Sequence, residues 1–269
     1  MSYPNVIYLD YGKEKVAQAA LIGDLPLGQL GVLPDGSKFR LAQCGSAAAL
    51  SAGVLVSCSA GLADHGAVAA SGLIASSVAT YNTGGATTVH VTSASVAVTK
   101  DYYAGGLLNV QDDTGEGHVY RIKSNKSAAV SSDVEITLEP TDRLITAFNP
   151  GVTTVGLRRN PYKEMILHNQ GTIIAPPMGA TPVAVSASFY FWCQRSGPVS
   201  LRTGATTVVD GAPVHAASAT AGSVTVPPTT ADTTTVVAAY NLQIRNTPIG
   251  HALETVTATE QVLVNLGLE

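Results

Sequence analysis

Short runs of alternating apolar and polar residues recur along the chain, and they constrain its fold more than any other feature. A side-chain period of two is typical of a half-buried β-strand, whereas a helix repeats its apolar face every three to four residues. The clearest runs have their apolar side chains at Val89 and Val91, Tyr120 and Ile122, Val134, Ile136 and Leu138, and Val262, Val264, Leu266 and Leu268. The sequence therefore predicts an all-β fold with at most short helices.

Turn residues divide the chain into three predicted regions. Residues 1–85 are expected to form an extended N-terminal arm and a short meander that packs on the C-terminal domain, with residues 62–85 as linking loops. Residues 86–158 are predicted to form a β-barrel or β-sandwich, because five or six short strands follow one another between turns. Residues 159–269 are predicted to form a C-terminal β-sandwich.

The aromatic segment 189–204 is predicted to be a hairpin at the centre of the C-terminal domain, with its corner at Gly197 and Pro198. On a strand, alternate side chains face opposite ways, so both faces carry large apolar groups. Such a strand either lies between two layers or presents one face to another subunit. Our hypothesis is that one face, formed by Tyr190, Trp192 and Gln194, mediates self-association.

The low charge of the chain also favours assembly. Charged residues make up 13% of the sequence, about half of the usual quarter. Surfaces this poor in charge suit burial by neighbouring subunits, although a soluble Ser/Thr-rich β surface is the alternative. The net charge of −4 and the lack of a Lys/Arg run argue against nucleic acid as a partner.

Neither a membrane anchor nor secretion is expected from the sequence. The N-terminus has no basic and apolar signal pattern, and the most apolar window, residues 47–63, is interrupted by Ser and Gly. Cys44, Cys58 and Cys193 have no metal-type spacing and cannot all pair. Free thiols made in a reducing compartment are therefore the simplest interpretation.

Residues with possible chemistry are present, but they form no recognised motif. The six histidines are scattered and are expected to be solvated. The acidic stretch 112–116 favours a polar β-turn over a calcium loop, and Glu116 and Glu135 resemble a glycosidase pair only by chance. The sequon Asn125-Lys126-Ser127 is interpreted as a coincidence. We therefore expect no catalytic residues, no cofactor and no metal, and hence not an enzyme.

Three tyrosines, Tyr3, Tyr8 and Tyr11, lie close together in the N-terminal arm. A tyrosine offers a large contact area and a hydroxyl on few rotatable bonds, which favours interfaces. The alternative is that the arm folds back on its own domain.

Loose patterns along most of the chain resemble the capsid decoration, or cement, proteins of tailed bacteriophages. The resembling segments, in chain order, are residues 35–42 leading into 46–53, 102–106, 115–122, 134–139, 160–162, 189–194, 197–198 and 249–253. The Thr-rich stretch 227–232 departs from the pattern and could be an exposed tip. The resemblance implies a β-rich homotrimer on the outer surface of an icosahedral head, made in the host bacterial cytoplasm.

The implied partner is the major capsid protein, and we take Tyr3, Tyr8 and Tyr11 as hypothetical capsid contacts. The main alternative is a phage tail or fibre adhesin, which would bind a receptor and be present in few copies. A virion-borne polysaccharide depolymerase and a cellular carbohydrate-binding module are further alternatives.

Overall fold

The computed structural model describes residues 5–21, 23, 25–62, 65, 73–92, 96–169, 175–217, 219–226 and 248–268. Their regular secondary structure is β-strand, apart from one 3₁₀ turn at Lys13–Lys15. The strands, in chain order, are β1 (Val6–Tyr8), β2 (Leu30–Val32), β3 (Lys38–Gln43), β4 (Leu55–Cys58), β5 (Leu73–Ala75), β6 (Thr88–Thr92), β7 (Leu107–Asp112), β8 (Val119–Asn125), β9 (Asp133–Leu138), β10 (Thr154–Arg158), β11 (Met165–Leu167), β12 (Gly179–Ala180), β13 (Tyr190–Arg202), β14 (Pro213–Ala216), β15 (Val224–Thr225), β16 (Gly250–Ala252) and β17 (Gln261–Gly267). The predicted all-β class is confirmed.

The chain divides into two compact units. One unit, here called the sheet unit, combines residues 1–59 with residues 162–269, and the other, the barrel unit, comprises residues 60–161. The sequence placed the start of the barrel domain at residue 86, but β5 pairs with β6 and β10 and so belongs to the barrel. Residues 62–85 consist mostly of Ala, Gly, Ser and Val, a composition that favoured linking loops, and a three-residue strand is too short to show alternation against it.

Six strands close the barrel in the order β10-β5-β6-β9-β8-β7, and β7 pairs with β10 to complete the ring. The apolar positions predicted from the alternating runs point inward: Val89, Val91, Tyr120, Ile122, Val134, Ile136 and Leu138 are all buried in one core cluster. Closure leaves no open edge within the ring and explains how such short strands form a stable sheet.

The sheet unit contains eleven described strands, of which eight follow the order β1-β2-β3-β13-β17-β16-β14-β15. The meander of residues 1–59 therefore joins the same sheet as the C-terminal region, because β3 pairs with β13. The terminal strand β17 alternates as predicted, with Val262, Val264 and Leu266 buried.

The predicted hairpin at residues 189–204 is wrong, because β13 runs without a turn from Tyr190 to Arg202. Instead of reversing at Gly197 and Pro198, the strand changes its neighbours there. Residues 190–196 pair with β3, with a bulge between Gln194 and Ser196. Residues 196–202 pair with β17.

Gly197 and Pro198 mark this change of partner. Gly197 has φ +90°, and a Cβ there would collide with the Ser37 side chain, so glycine is required by both backbone and packing. Pro198 lies opposite Asn265 in β17. Proline, which lacks an N–H, is accepted on a strand where that N–H would face an open side. The Gly-Pro pair therefore marks an open edge within a strand.

Candidate interaction surface

The N-terminal segment of the sheet unit exposes two of the tyrosines singled out in the sequence. Tyr8 ends the edge strand β1 with 84% of its surface exposed, and Tyr11 follows in the next turn with 65% exposed. Tyr3 lies outside the described residues. Solvent-exposed tyrosines at the edge of a sheet are a candidate contact surface, because their rings are large and few bonds must be ordered on binding.

Backbone bonds and one buried carboxylate hold this segment in place. The Leu9 N–H donates to the Val32 carbonyl at 2.9 Å, which extends the pairing of β1 with β2. Glu14 is buried, and its Oε2 accepts a hydrogen bond from the Gly12 N–H at 2.6 Å. The Lys15 ammonium lies 3.9 Å from Glu14 Oε1. The tyrosines are thus presented on an ordered backbone.

The hypothesis that Tyr190, Trp192 and Gln194 form a self-association face requires correction. Trp192 is 2% exposed and Gln194 is 4% exposed within the single chain. Tyr190 is half-buried and exchanges two backbone hydrogen bonds with Gln18. The chain's own N-terminal region covers this face, so Trp192 and Gln194 are not available to a second subunit.

The packing of Trp192 explains how its large ring is covered. Trp192 belongs to a small core cluster with Leu9, Leu33, Phe39 and Leu41. A Cβ at Gly31 would lie 2.9 Å from Trp192 Cζ3, so the ring rests directly on the backbone of β2. The alternation of β13 correctly put Trp192 opposite Phe191. It could not reveal that strands distant in the sequence cover the Trp192 side.

Gln194 has a structural role at the bulge of β13. Its side-chain amide Nε2 donates to the Pro198 carbonyl at 2.9 Å and to the Ser196 carbonyl at 3.2 Å. These carbonyls lie where β13 changes partners, and an amide can satisfy polar groups that a regular ladder would have paired. Sequence reasoning missed this role because it depends on the bulge.

A cleft of about 590 Å³ lies beside Tyr11 in the sheet unit. Its lining includes Tyr11, Asp35 and Ser37 from the N-terminal region and residues 198–200 of β13, with Gly53 among the remaining residues. Volumes of this size are typical of binding clefts. The cleft and the exposed tyrosine together form the candidate interaction surface.

Large exposed apolar side chains also occur on the barrel unit, at Val119, Val130, Ile145 and Val152. Ile145 is the most exposed of them, at 74%. Single exposed apolar residues are common on protein surfaces and need no functional explanation.

The acidic stretch 112–116 forms a turn, as predicted. The Glu116 N–H donates to the Asp113 carbonyl at 3.0 Å, and Asp113 Oδ2 accepts from the Thr153 hydroxyl at 2.8 Å. The Thr114 backbone N–H, and after it the Thr153 hydroxyl, lowers the pKa of Asp113. Across the described ranges, no three His, Cys, Asp or Glu residues come together as a metal site would require.

Three of the histidines, and the asparagine of the sequon, are buried. The prediction of solvated histidines is wrong for His65, His168 and His215, which are buried. Asn125 of the sequon is 2% exposed and makes three side-chain hydrogen bonds. A buried and fully bonded amide cannot accept a glycan in the folded chain, which supports interpreting the sequon as a coincidence.

All three cysteines are free, and they differ in exposure. Cys44 and Cys193 are buried, whereas Cys58 is partly exposed. Burial raises the pKa of the Cys193 thiol to about 12, against a smaller opposing effect of the Arg195 charge. Burial also raises the pKa of Cys44. Because the thiolate is the nucleophile, neither buried thiol is reactive near neutral pH.

We therefore expect iodoacetamide at pH 8 to modify Cys58 first in the native protein, with Cys44 and Cys193 modified at least about tenfold more slowly. Peptide mass spectrometry over a time course measures the three rates. In concentrated urea all three cysteines should react at similar rates. Rapid native modification of Cys193 would contradict its burial.

No family model matches the chain, and neither a curated protein nor a solved structure gives a significant match. Across the described ranges, the chain contains no helix with the length and apolar character that a bilayer crossing requires. The stretch 227–232, suggested as an exposed tip, lies outside the described residues.

Proposed function

We propose that the chain is a virion structural protein that decorates an icosahedral bacteriophage head and stabilises it by binding the major capsid protein lattice. The observation that carries this proposal is the pair of exposed tyrosines, Tyr8 and Tyr11, held on an ordered sheet edge beside a cleft. The low charge of the sequence and its resemblance to decoration proteins support the same function. The chain would act as a homotrimer. It would be made in the host cytoplasm and then bind to the outer surface of the capsid.

The proposed mechanism relies on many modest interfaces. A tyrosine that becomes buried against a shell subunit contributes apolar area, and its hydroxyl can keep a hydrogen bond. Each decoration site then adds a limited contact area, and a closed trimer engages several shell subunits at once. Because linked sites bind with increased avidity, the shell gains resistance to outward pressure without any chemical reaction.

The test is binding of the purified chain to undecorated phage shells. We expect a Tyr8→Ser/Tyr11→Ser double variant to bind at least about tenfold more weakly, since buried aromatic anchors dominate interface energies. Thermal unfolding should be unchanged, because both side chains are exposed. Ile145→Ser is the matched control, since it removes an equally exposed apolar side chain from the barrel unit.

Two outcomes would contradict the proposal. One is a double variant that binds shells as tightly as the unaltered chain. The other is a copy number in purified virions far below that of the major capsid protein, which would instead favour the tail or fibre adhesin. Quantitative mass spectrometry of virions gives this ratio directly.

A further inference from the structure

The cleft of the sheet unit lies at a gap in a β-ladder. On one side of β13, β3 pairs with residues up to Ser196, opposite Lys38. On the same side, the Arg202 N–H donates to the Gly53 carbonyl at 2.7 Å. Between these two points, residues 197–201 have β17 on one side and no strand on the other among the described residues. These five residues span about 13 Å at the usual strand rise, and at their far end Gly53 lies close to the Ser200 carbonyl oxygen, 3.1 Å from where a Cβ of residue 53 would be.

The backbone of Ser200 faces this gap. Along a strand, the N–H and C=O groups of successive residues point alternately to the two sides. The Arg202 N–H points away from β17 toward Gly53, while the Thr203 N–H donates to the Glu260 carbonyl on the β17 side. By the same alternation, the N–H and C=O of Ser200 point away from β17. Ser200 lines the cleft and is exposed.

Pro198 shows that this side of the strand is open. Pro198 is two residues from Ser200, so its backbone groups also point away from β17. Its carbonyl oxygen accepts a hydrogen bond from the Gln194 side-chain amide. Ser200 therefore offers the backbone N–H of the open stretch that faces the cleft, since Pro198 has none. A strand added here would meet a donor at Ser200 and apolar contacts from Tyr11 and Pro198.

Charges around the cleft indicate the side chains that such a strand would carry. The lining contains the carboxylates of Glu14 and Asp35 and the ammonium of Lys15. Glu14 already receives the Gly12 N–H and faces Lys15. Asp35 is exposed, and its Oδ1 accepts the Ser37 N–H at 2.9 Å. A basic side chain next to Asp35 complements this arrangement.

We propose that the cleft is a strand-acceptor site, in which an extended segment of the major capsid protein, with a basic residue near Asp35, completes the ladder beside residues 197–201. Addition of a strand to a sheet edge is a general mode of peptide recognition, with affinity from main-chain hydrogen bonds. This inference rests on the proposed function only for the source of the segment.

The test removes the one backbone hydrogen bond that the Ser200 N–H would donate to a bound strand. Ser200→Pro removes the N–H that faces the cleft and leaves the bonds to β17 in place, whereas Ser200→Ala keeps the N–H and is the matched control. The probes are overlapping synthetic peptides that span the major capsid protein and, separately, a displayed library of random peptides. We expect a bound peptide to lose at least about tenfold in affinity with Ser200→Pro and little with Ser200→Ala.

The charge preference is tested with Asp35→Asn, which can keep the hydrogen bond from Ser37. Peptides with a basic residue should bind this variant about threefold more weakly at low salt, with the difference fading at high salt. Hydrogen exchange of the Ser200 amide should slow when the peptide is bound. Thermal unfolding of all three variants checks that the sheet unit is intact.

The outcomes separate the two proposals. If library peptides bind in a manner sensitive to Ser200→Pro but no capsid peptide binds, the strand-acceptor site stands and its assignment to the capsid protein is overturned. If no peptide from either source binds, or if a folded Ser200→Pro variant binds as tightly as Ser200→Ala, the strand-acceptor site is overturned. Neither result depends on the number of copies in virions.

Discussion

Replacement of Trp192 by alanine is expected to lower the free energy of unfolding of the sheet unit by about 3–5 kcal/mol. The ring is 2% exposed and packs with Leu9, Leu33 and Phe39. It also rests on Gly31, where no side chain could move in to fill the space. Truncation therefore leaves a cavity between β13 and the N-terminal strands.

Urea unfolding followed by circular dichroism measures this effect, since Trp192 is the only tryptophan and its removal abolishes the fluorescence signal. Tyr8→Ala is the control, because an 84% exposed ring contributes little to folding. A Trp192→Ala variant with unaltered stability but a smaller oligomer would contradict the burial and restore the self-association hypothesis.

The second large effect is expected at Asn125. Replacement by aspartate should lower the free energy of unfolding of the barrel unit by about 2–4 kcal/mol near neutral pH. Asn125 Oδ1 accepts the Tyr103 N–H at 2.8 Å, and Nδ2 donates to the carbonyls of Thr99 and Lys126, both at 2.9 Å. Aspartate keeps the acceptor, but it loses both donations and buries a charge against two carbonyl oxygens.

Hydrogen exchange with mass spectrometry can assign this destabilisation to the barrel unit. Ser127→Ala is the matched control, because it destroys the same sequon and leaves the three Asn125 bonds intact. If both variants behave like the unaltered chain, the amide does not hold this part of the barrel. If Ser127→Ala alone lost stability, the Ser127 side chain, and not the Asn125 amide, would be the group that stabilises this part of the barrel.

The fold class could be predicted from the sequence because alternation survives in several of the strands of five residues or more. Val134, Ile136 and Leu138 are one example, and all three are buried. Strand β5 was missed because its three residues, Leu73–Ala75, carry no recognisable period. A strand can be distinguished from a loop by its sequence only when it contains several residues, because its period of two must repeat to be recognised.

The error at Gly197 and Pro198 has a different cause. A Gly-Pro pair is typical of a turn, and the same two residues also suit a strand that loses a neighbour on one side. Only the pairing partners decide between these cases, and β3 and β17 lie far from Pro198 in the sequence. The cleft lies where the long-range pairing of β3 with β13 stops. It could not be predicted from the sequence, because the sequence does not show where that pairing ends.

The covering of Trp192 was also inaccessible to sequence reasoning. The pattern of β13 indicated two apolar faces, and it left open whether the same chain or another subunit covered them. Strands β1 and β2 supply the cover, and the decisive feature is the missing side chain at Gly31. For the arm, the sequence left open whether its tyrosines fold back on their own domain, and the structure exposes Tyr8 and Tyr11.

The insertion of residues 60–161 within the sheet unit has a consequence for biosynthesis. Strand β3 emerges from the ribosome long before its partner β13, so the first 59 residues keep an unpaired strand edge and solvent-exposed apolar side chains until β13 is made. The barrel has all its pairing partners within its own segment and can complete its ring in the meantime. The nascent chain is thus most prone to aggregate late in translation, after the barrel has formed and before Tyr190 is synthesised. Pulse proteolysis of stalled ribosome complexes would detect this order as protection of the barrel before the sheet.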